Sequence, residues 1–223
     1  MVYNGIVTGK FLARPNRFIA YAEIDGRIEK CHVKNTGRCR ELLTEGCTVY
    51  LERAKNPERK TRFDLVAVQK GDRLINMDSY APNLAAAEFL PKLFPGAVIR
   101  REYTYGNSRF DFYVEYNERK IFLEVKGVTL EEEGVVRFPD APTERGIKHI
   151  NELVRCMEEG YEAYLLFVIQ MRDVKYFTPN DDTHPQFGEA LRNATAKGVK
   201  LLAYDCEVTP ESMEIRKETE IRL

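Results

Sequence analysis

The sequence predicts an α/β protein built on a mixed sheet, preceded by a small all-β barrel. Three observations carry this. Residues 1–75 break into five short strand-like runs separated by turn residues. Beyond Asp78-Ser79-Tyr80-Ala81-Pro82 the pattern changes to alternating helix and strand. Within that second part, two apolar runs of strand length lie four residues apart and carry charges inside them.

In the first part the runs are Gly5–Leu12, Arg17–Ile24, Arg27–Val33, Thr48–Glu52 and Leu65–Lys70. Asp25-Gly26 is a strong hairpin signal. Five such strands with basic loops fit a barrel of the oligonucleotide-binding (OB) type, and an SH3-like barrel fits almost as well. Arg38–Leu43 has room for one helical turn. In the second part Asn83–Phe94 reads as a helix despite Pro91, and Ala97–Tyr105 as a strand. Thr143–Glu159 reads as a helix with Thr143 as N-cap, Gly160 as stop and an Ile147/Ile150/Leu153/Val154 stripe. Tyr161–Gln170 is a buried strand, Pro185–Lys197 a helix closed by Gly198, and Val199–Val208 and Met213–Leu223 are strands. No internal repeat or low-complexity tract is present.

The two mid-chain runs are Ser108–Glu115 and Lys120–Lys126. If Asn117-Glu118 forms a two-residue turn, Tyr116 faces Arg119 and Asp111 comes opposite Glu124. Strand alternation puts Lys126 on the same face as Glu124, and the register adds Asp111. Directly opposed Cβ atoms lie roughly 4.5–5.5 Å apart. The other face carries Phe112, Val114, Ile121, Leu123 and Val125 and is expected to pack on a helix. Tyr113 and Phe122 fall on the Asp111 face as packing groups. Adjacent carboxylates repel, and oxygen ligands suit a hard cation such as Mg²⁺ or Mn²⁺. Such an ion can bridge a phosphate and activate water, with Lys126 assisting. The D…E-x-K pattern, used by many metal-dependent nucleases, is weak by itself in a chain that is 31% charged. Its weight comes from Glu124 and Lys126 interrupting an otherwise apolar strand.

Composition bounds the rest. The 223 residues suffice for one large or two small domains, and 43% are hydrophobic. No membrane-length apolar run and no secretory signal is evident. Cys31, Cys39, Cys47, Cys156 and Cys206 are an odd set, expected to be reduced thiols in the cytoplasm. Residues 1–80 hold 15 Lys+Arg against 10 Asp+Glu, a net of +5, and the remainder 19 against 25, a net of −6. A basic front suggests an anionic partner.

Arg14, Arg17, Arg38, Arg59 and Lys60 fall in or near the front loops and are candidate phosphate ligands. Asn35-Thr36-Gly37 reads as a tight loop. Glu88, on the helix before the hairpin, is a candidate third carboxylate for the metal. Arg145 and Lys148 share a face at the start of the later helix and could hold a phosphate, with His149 an outside candidate for proton transfer. The complete absence of tryptophan removes the usual sugar-stacking side chain and argues against a sugar sensor.

In chain order, the motifs Asn35-Thr36-Gly37, Asn56-Pro57-x-Arg59-Lys60-Thr61, Pro82-Asn83, Tyr105-Gly106-x-Ser108-Arg109-x-Asp111-Phe112, Glu124-Val125-Lys126-x-Val128-Thr129-Leu130, Phe138-Pro139-Asp140-Ala141-x-Thr143-x-Arg145-Gly146-x-Lys148-His149 and Leu202-Ala203-Tyr204 span nearly the full chain. Together they resemble the sugar fermentation stimulation protein A (SfsA) family. The resemblance implies an OB-fold domain over residues 1–80 and a PD-(D/E)XK (restriction-endonuclease-like) domain over 81–223. It also implies DNA binding without marked sequence preference, a site at Asp111, Glu124 and Lys126, and Mg or Mn as cofactor. The family name describes a sugar-utilisation phenotype, not a reaction. Gly127 stands where members often have Asn, and Cys39 where many have Met. A metal-dependent nuclease and a non-catalytic DNA-binding regulator both fit, and the sequence leaves a homodimer open.

Overall fold

The computed structural model describes residues 1–35, 37–56, 58–106 and 108–223, so Thr36, Pro57 and Asn107 of the motifs above lie outside the described residues. The front part is one sheet of β1 (Ile6–Asn16), β2 (Ile19–Ile24), β3 (Arg27–Val33), β4 (Thr48–Arg53), β5 (Phe63–Lys70) and β6 (Arg73–Asn76). Its order is β3-β2-β1-β4-β5-β6. A parallel pairing of β3 with β5, Cys31 opposite Phe63 and Val33 opposite Leu65, closes the first five strands into a barrel. Asp25 (φ 50°) and Gly26 (φ 73°) make the expected hairpin turn. Along β2, Ala20, Ala22 and Ile24 point inward and alternate with exposed residues. The segment after Arg38 forms a single turn, with Leu43 N–H donating to the Cys39 carbonyl.

The second part is layered around a six-stranded mixed sheet. Its elements are α1 (Ala81–Leu93), β7 (Val98–Tyr105), β8 (Ser108–Tyr116), β9 (Arg119–Val128), β10 (Leu130–Glu132), β11 (Val135–Phe138), α2 (Glu144–Glu158), β12 (Glu162–Ile169), β13 (Tyr176–Pro179), α3 (Pro185–Ala196), β14 (Lys200–Thr209) and β15 (Ser212–Glu218). The sheet runs β15-β14-β12-β9-β8-β7, with β12 parallel to both β9 and β14. Buried on both faces, β12 is apolar throughout from Ala163 to Ile169. One face packs Phe112, Val114, Ile121, Leu123 and Val125 against Ala81, Ala85, Ala86 and Leu90 of α1. The other packs Phe110, Tyr113 and Phe122 in a core shared with Ile150, Leu153 and Cys156 of α2.

Three features depart from the sequence reading. β6 was not expected; it prolongs the barrel sheet through Lys70↔Arg73. β10, β11 and β13 form a separate small sheet, too short to show periodicity. The first residues leave the barrel altogether. Val2 bridges to Ser212, and Tyr3 N–H donates to the Glu211 carbonyl at 2.7 Å. The two parts are also tied by Gln170, whose amide donates to the Asn76 and Asp78 carbonyls at 3.1 Å each.

All five cysteines are free. Burial pushes the thiols of Cys31, Cys39 and Cys156 up to about 12, and Cys206 is raised as well. Cys47 is only half-buried. The thiolate is the reactive form. In a chromogenic disulfide assay at pH 8, native protein is therefore expected to react quickly at Cys47 alone, with the other four released on denaturation.

Candidate metal centre and basic surface

The hairpin that places the site has the predicted turn. Asn117 (φ 49°) and Glu118 (φ 64°) take the two left-handed positions of a type I′ turn, and Tyr116 pairs with Arg119. The ladder then runs to Phe112↔Leu123 and stops, one pair short of Asp111 and Glu124. There the Asp111 carboxylate takes over: its Oδ2 accepts the Val125 N–H at 2.8 Å. Its Oδ1 accepts from Asn83 Nδ2 on α1, also at 2.8 Å.

Simple alternation fails at this point. Phe110 joins the core under α2, whereas Phe112 joins the core under α1. Residues two apart on a regular strand share a face, so β8 turns over at Asp111. The expectation that Asp111 simply shares the face of Tyr113 and Phe122 is corrected accordingly. Asp111 sits in the opening of the ladder, between the first turn of α1 and β9.

Glu124 is buried, with 3% of its surface exposed. Its Oε1 is 2.6 Å from Lys126 Nζ and also hydrogen-bonds His149 Nδ1 on α2. Lys126 Nζ lies 3.4 Å from the same ring nitrogen. Glu124 Oε2 is buried and has no hydrogen-bond partner. Burial works to raise the Glu124 pKa, but the His149 hydrogen bond and the Lys126 charge outweigh it, so the carboxyl stays below its ordinary range. Asp111 is shifted the other way, raised by burial and by the Glu124 charge against the opposing Val125 N–H. His149, a minor candidate in the sequence, thus stands at the centre of the site. Its i, i+4 neighbour Arg145 is exposed and reaches it, Nε to Nε2, at 3.4 Å. The helix that presents both is fixed at its start by Thr143, whose Oγ1 accepts the Gly146 N–H at 3.0 Å.

The donor set suits a hard divalent ion. Two carboxylates are close enough to perturb each other, and a bare, buried oxygen faces no partner. Ions such as Mg²⁺ are often held by one or two carboxylates and complete their shell with water and phosphate. The expected third carboxylate is not there. Glu88 is 59% exposed at its side chain and pairs with the Met1 amino group at 2.6 Å. Five residues beyond Asn83, it is turned roughly 140° around α1. Among the described residues no cluster of three His, Cys, Asp or Glu side chains is close enough to hold an ion.

The basic candidates separate into two groups. Arg14 is an internal tether: its guanidinium donates to the carbonyls of Arg38, Arg17 and Asn35 at 2.7, 2.8 and 2.6 Å. Arg59 is likewise engaged, donating to both oxygens of buried Asp64 at 3.0 and 2.7 Å. Both guanidiniums are thus engaged inside the protein, where the sequence reading offered them as loop groups for phosphate. Arg17, Arg38, Lys60, Arg145 and Lys148 are exposed, and Arg40 with them. Arg17 lies over the Phe18 ring at 4.9 Å, and Lys148 is 3.6 Å from Glu152. With Arg14 below, Arg17, Arg38 and Arg40 line a cleft of about 360 Å³. That cleft borders the second domain. A Cβ on Gly37 would lie 2.5 Å from Asp140 Oδ2, so the barrel loop rests on the segment that leads into α2.

Gly127 follows Lys126 for a steric reason. A Cβ there would fall 2.5 Å from Gln170 Oε1 and 2.7 Å from Pro82 Cγ. Gln170 is held by three oxygens and cannot swing away. Gly127→Ala is expected to lower stability by about 1–3 kcal/mol, as overpacking does, read as the shift in urea midpoint at unchanged slope.

Residues 12–77 match the family model "SfsA N-terminal OB domain", and residues 80–212 match "Sugar fermentation stimulation protein RE domain". The chain is 60% identical over 216 residues to a sugar fermentation stimulation protein homolog of Desulfitobacterium hafniense (strain Y51), covering 96% of this chain and 95% of that one. It is 57% identical to the homolog from Ruminiclostridium cellulolyticum over the full length of both. A solved structure of Pyrococcus furiosus SfsA in complex with Ca²⁺ superposes with a TM-score of 0.88 at 29% identity, covering 100% of this chain and 98% of that one. With both domains in the same order, and with a closed OB barrel leading into a mixed α/β sheet, this chain belongs to the SfsA family.

Proposed function

We propose that this protein binds DNA through its basic barrel and cuts phosphodiester bonds at the Asp111/Glu124/Lys126 centre, as a nuclease of the PD-(D/E)XK type. The observation that carries the reading is Glu124 Oε2, a buried carboxylate oxygen without a partner beside a second carboxylate and a lysine. The Ca²⁺ named with Pyrococcus furiosus SfsA belongs to that protein, but it fits a family site for a hard cation. A resident Mg²⁺ or Mn²⁺, held by Asp111, Glu124 and the Val125 carbonyl, would supply Lewis acidity and a water of lowered pKa. The chain's own groups do the rest. Lys126 and Arg145 bring positive charge to where negative charge grows on the phosphate. His149 keeps one Glu124 oxygen occupied and leaves the other as the one that would meet a cation. Arg17, Arg38, Lys60 and Lys148 hold flanking phosphates without reading bases.

A non-catalytic DNA-binding regulator is the second reading. Its specific support is that Glu124 is already paired with Lys126 and His149, and that no third acidic ligand stands by among the described residues. Cleavage decides between the two. Wild type with Mn²⁺ or Mg²⁺ is expected to cut DNA, and EDTA or Asp111→Ala to abolish cutting while binding persists. Activity equal in Asp111→Ala would remove the centre from the mechanism. Binding itself is expected to weaken steeply with salt, as counterion release requires, and Arg38→Ala to weaken it on every sequence alike.

The ion also predicts a pH-dependent stability. Asp111 is raised in the folded state, so its contribution is present below the ordinary aspartate pKa and lost as pH rises through the folded value. A bound divalent ion offsets that loss. Mn²⁺ is thus expected to raise the Tm of wild type near pH 7. The rise should shrink in acid, beginning above the pH where an ordinary aspartate protonates, because the proton and the ion compete for Asp111. Asp111→Ala should show no rise.

A further inference from the structure

Eight large apolar side chains remain exposed among the described residues, and three of them line one cavity: Val2 (70%), Tyr80 (70%) and Leu84 (38%). The cavity is about 470 Å³, within the usual range for small-ligand sites. It opens where the end of β3, the β4–β5 loop, the chain's first residues and the start of α1 meet. Its floor is polar and rigid. Lys34 Nζ sits 3.3 Å from Glu52, 3.3 Å from Asp78 and 3.9 Å from Asp64. Asp64 is gripped by Arg59, and the Tyr3 hydroxyl lies 3.3 Å from Asp78. Arg53 and Lys55 stand exposed at the edge.

Each layer matches one part of a nucleotide. The locked floor presents fixed donors and acceptors, as the edge of a base requires. The exposed Tyr80 ring offers a flat surface on which a base can stack. The peripheral cations suit the sugar–phosphate backbone. In a duplex the Watson–Crick edges are already used by the partner strand and the base faces are stacked, so only an unpaired or extruded base can present both to such a cavity. The location adds the connection to chemistry. Tyr80 and Leu84 flank the first turn of α1, the same turn from which Asn83 holds Asp111.

We propose that this cavity receives one unpaired nucleobase of the strand presented to the metal centre, which makes single-stranded or single-strand-containing DNA the substrate class. This rests on the DNA-binding reading above. The test is binding in EDTA, where nothing is cut. The probes are a single-stranded oligonucleotide carrying 2-aminopurine, the matching blunt duplex, and 2-aminopurine mononucleotide. Wild type is expected to quench the base in the single strand and to bind it more tightly than the duplex. Tyr80→Ala should weaken single-strand binding about tenfold and abolish quenching, with duplex binding unchanged. Tyr80→Phe should restore both. Wild type that binds DNA while Tyr80→Ala behaves identically overturns the cavity alone. Quenching of the mononucleotide without competition from the oligonucleotide would make this a free-nucleotide site and overturns the strand assignment. Wild type that binds no DNA overturns this proposal together with the reading it rests on.

Discussion

Two carboxylates held close together inside the sheet are the constraint around which the second domain is arranged. Asp111 and Glu124 each raise the energy of the other's charge, and neither has free access to water. The fold compensates them separately. Glu124 is paired with Lys126, two residues along its own strand, and hydrogen-bonded to His149 from α2. Among the described residues Asp111 receives the Val125 amide and the Asn83 side chain at hydrogen-bond distance, and no cation. Removing one partner from a buried ion pair commonly costs about 3–5 kcal/mol. The placements of α1 and α2 are thus tied to the site as much as to the cores beneath them. The unequal compensation is also why Asp111 is raised while Glu124 stays below its ordinary range.

Much of this was legible because local rules sufficed. The two residues of the Asn117-Glu118 turn set the register, and the period of two sorted Phe112, Val114, Ile121, Leu123 and Val125 onto the α1 face. The strand-to-helix change after residue 80 marked where α1 begins. What was not legible depended on long-range geometry. Alternation breaks at Asp111 because the ladder opens there, and no residue type announces it. Glu88 was credited by its helix but points elsewhere, since helix phase relative to a sheet is a tertiary property. Arg14 and Arg59 look like any surface arginine in sequence. Only the fold reveals the three carbonyls converging on one and the buried Asp64 awaiting the other. His149 carried one usable signal, its i, i+4 spacing from Arg145 on a helix that follows the E-x-K strand.

The boundary between the parts is less clean than the composition suggests. Lys34, at the end of β3, meets Asp78 from the linker, and Ser79 N–H donates to the Lys34 carbonyl at 3.1 Å. Gln170 from the end of β12 reaches back to Asn76 and Asp78. Lys70 on β5 pairs with Glu131 on β10 at 2.8 Å. These polar ties join the barrel strands and the linker to β10 and the end of β12.

The order of strands in the mixed sheet carries a consequence for how the chain comes into being. Strand β9, which bears Glu124 and Lys126, is enclosed on one side by β8, its immediate predecessor in sequence. On the other side it is enclosed by β12, about 40 residues further on. His149 arrives with α2 between them. A ribosome that has released only the barrel and the β8–β9 hairpin has therefore exported both carboxylates without the walls that bury them. Domains fold largely as units during synthesis, so the barrel can close while the Asp111/Glu124/Lys126 centre does not yet exist. The completion of barrel and centre at different times is built into the topology itself.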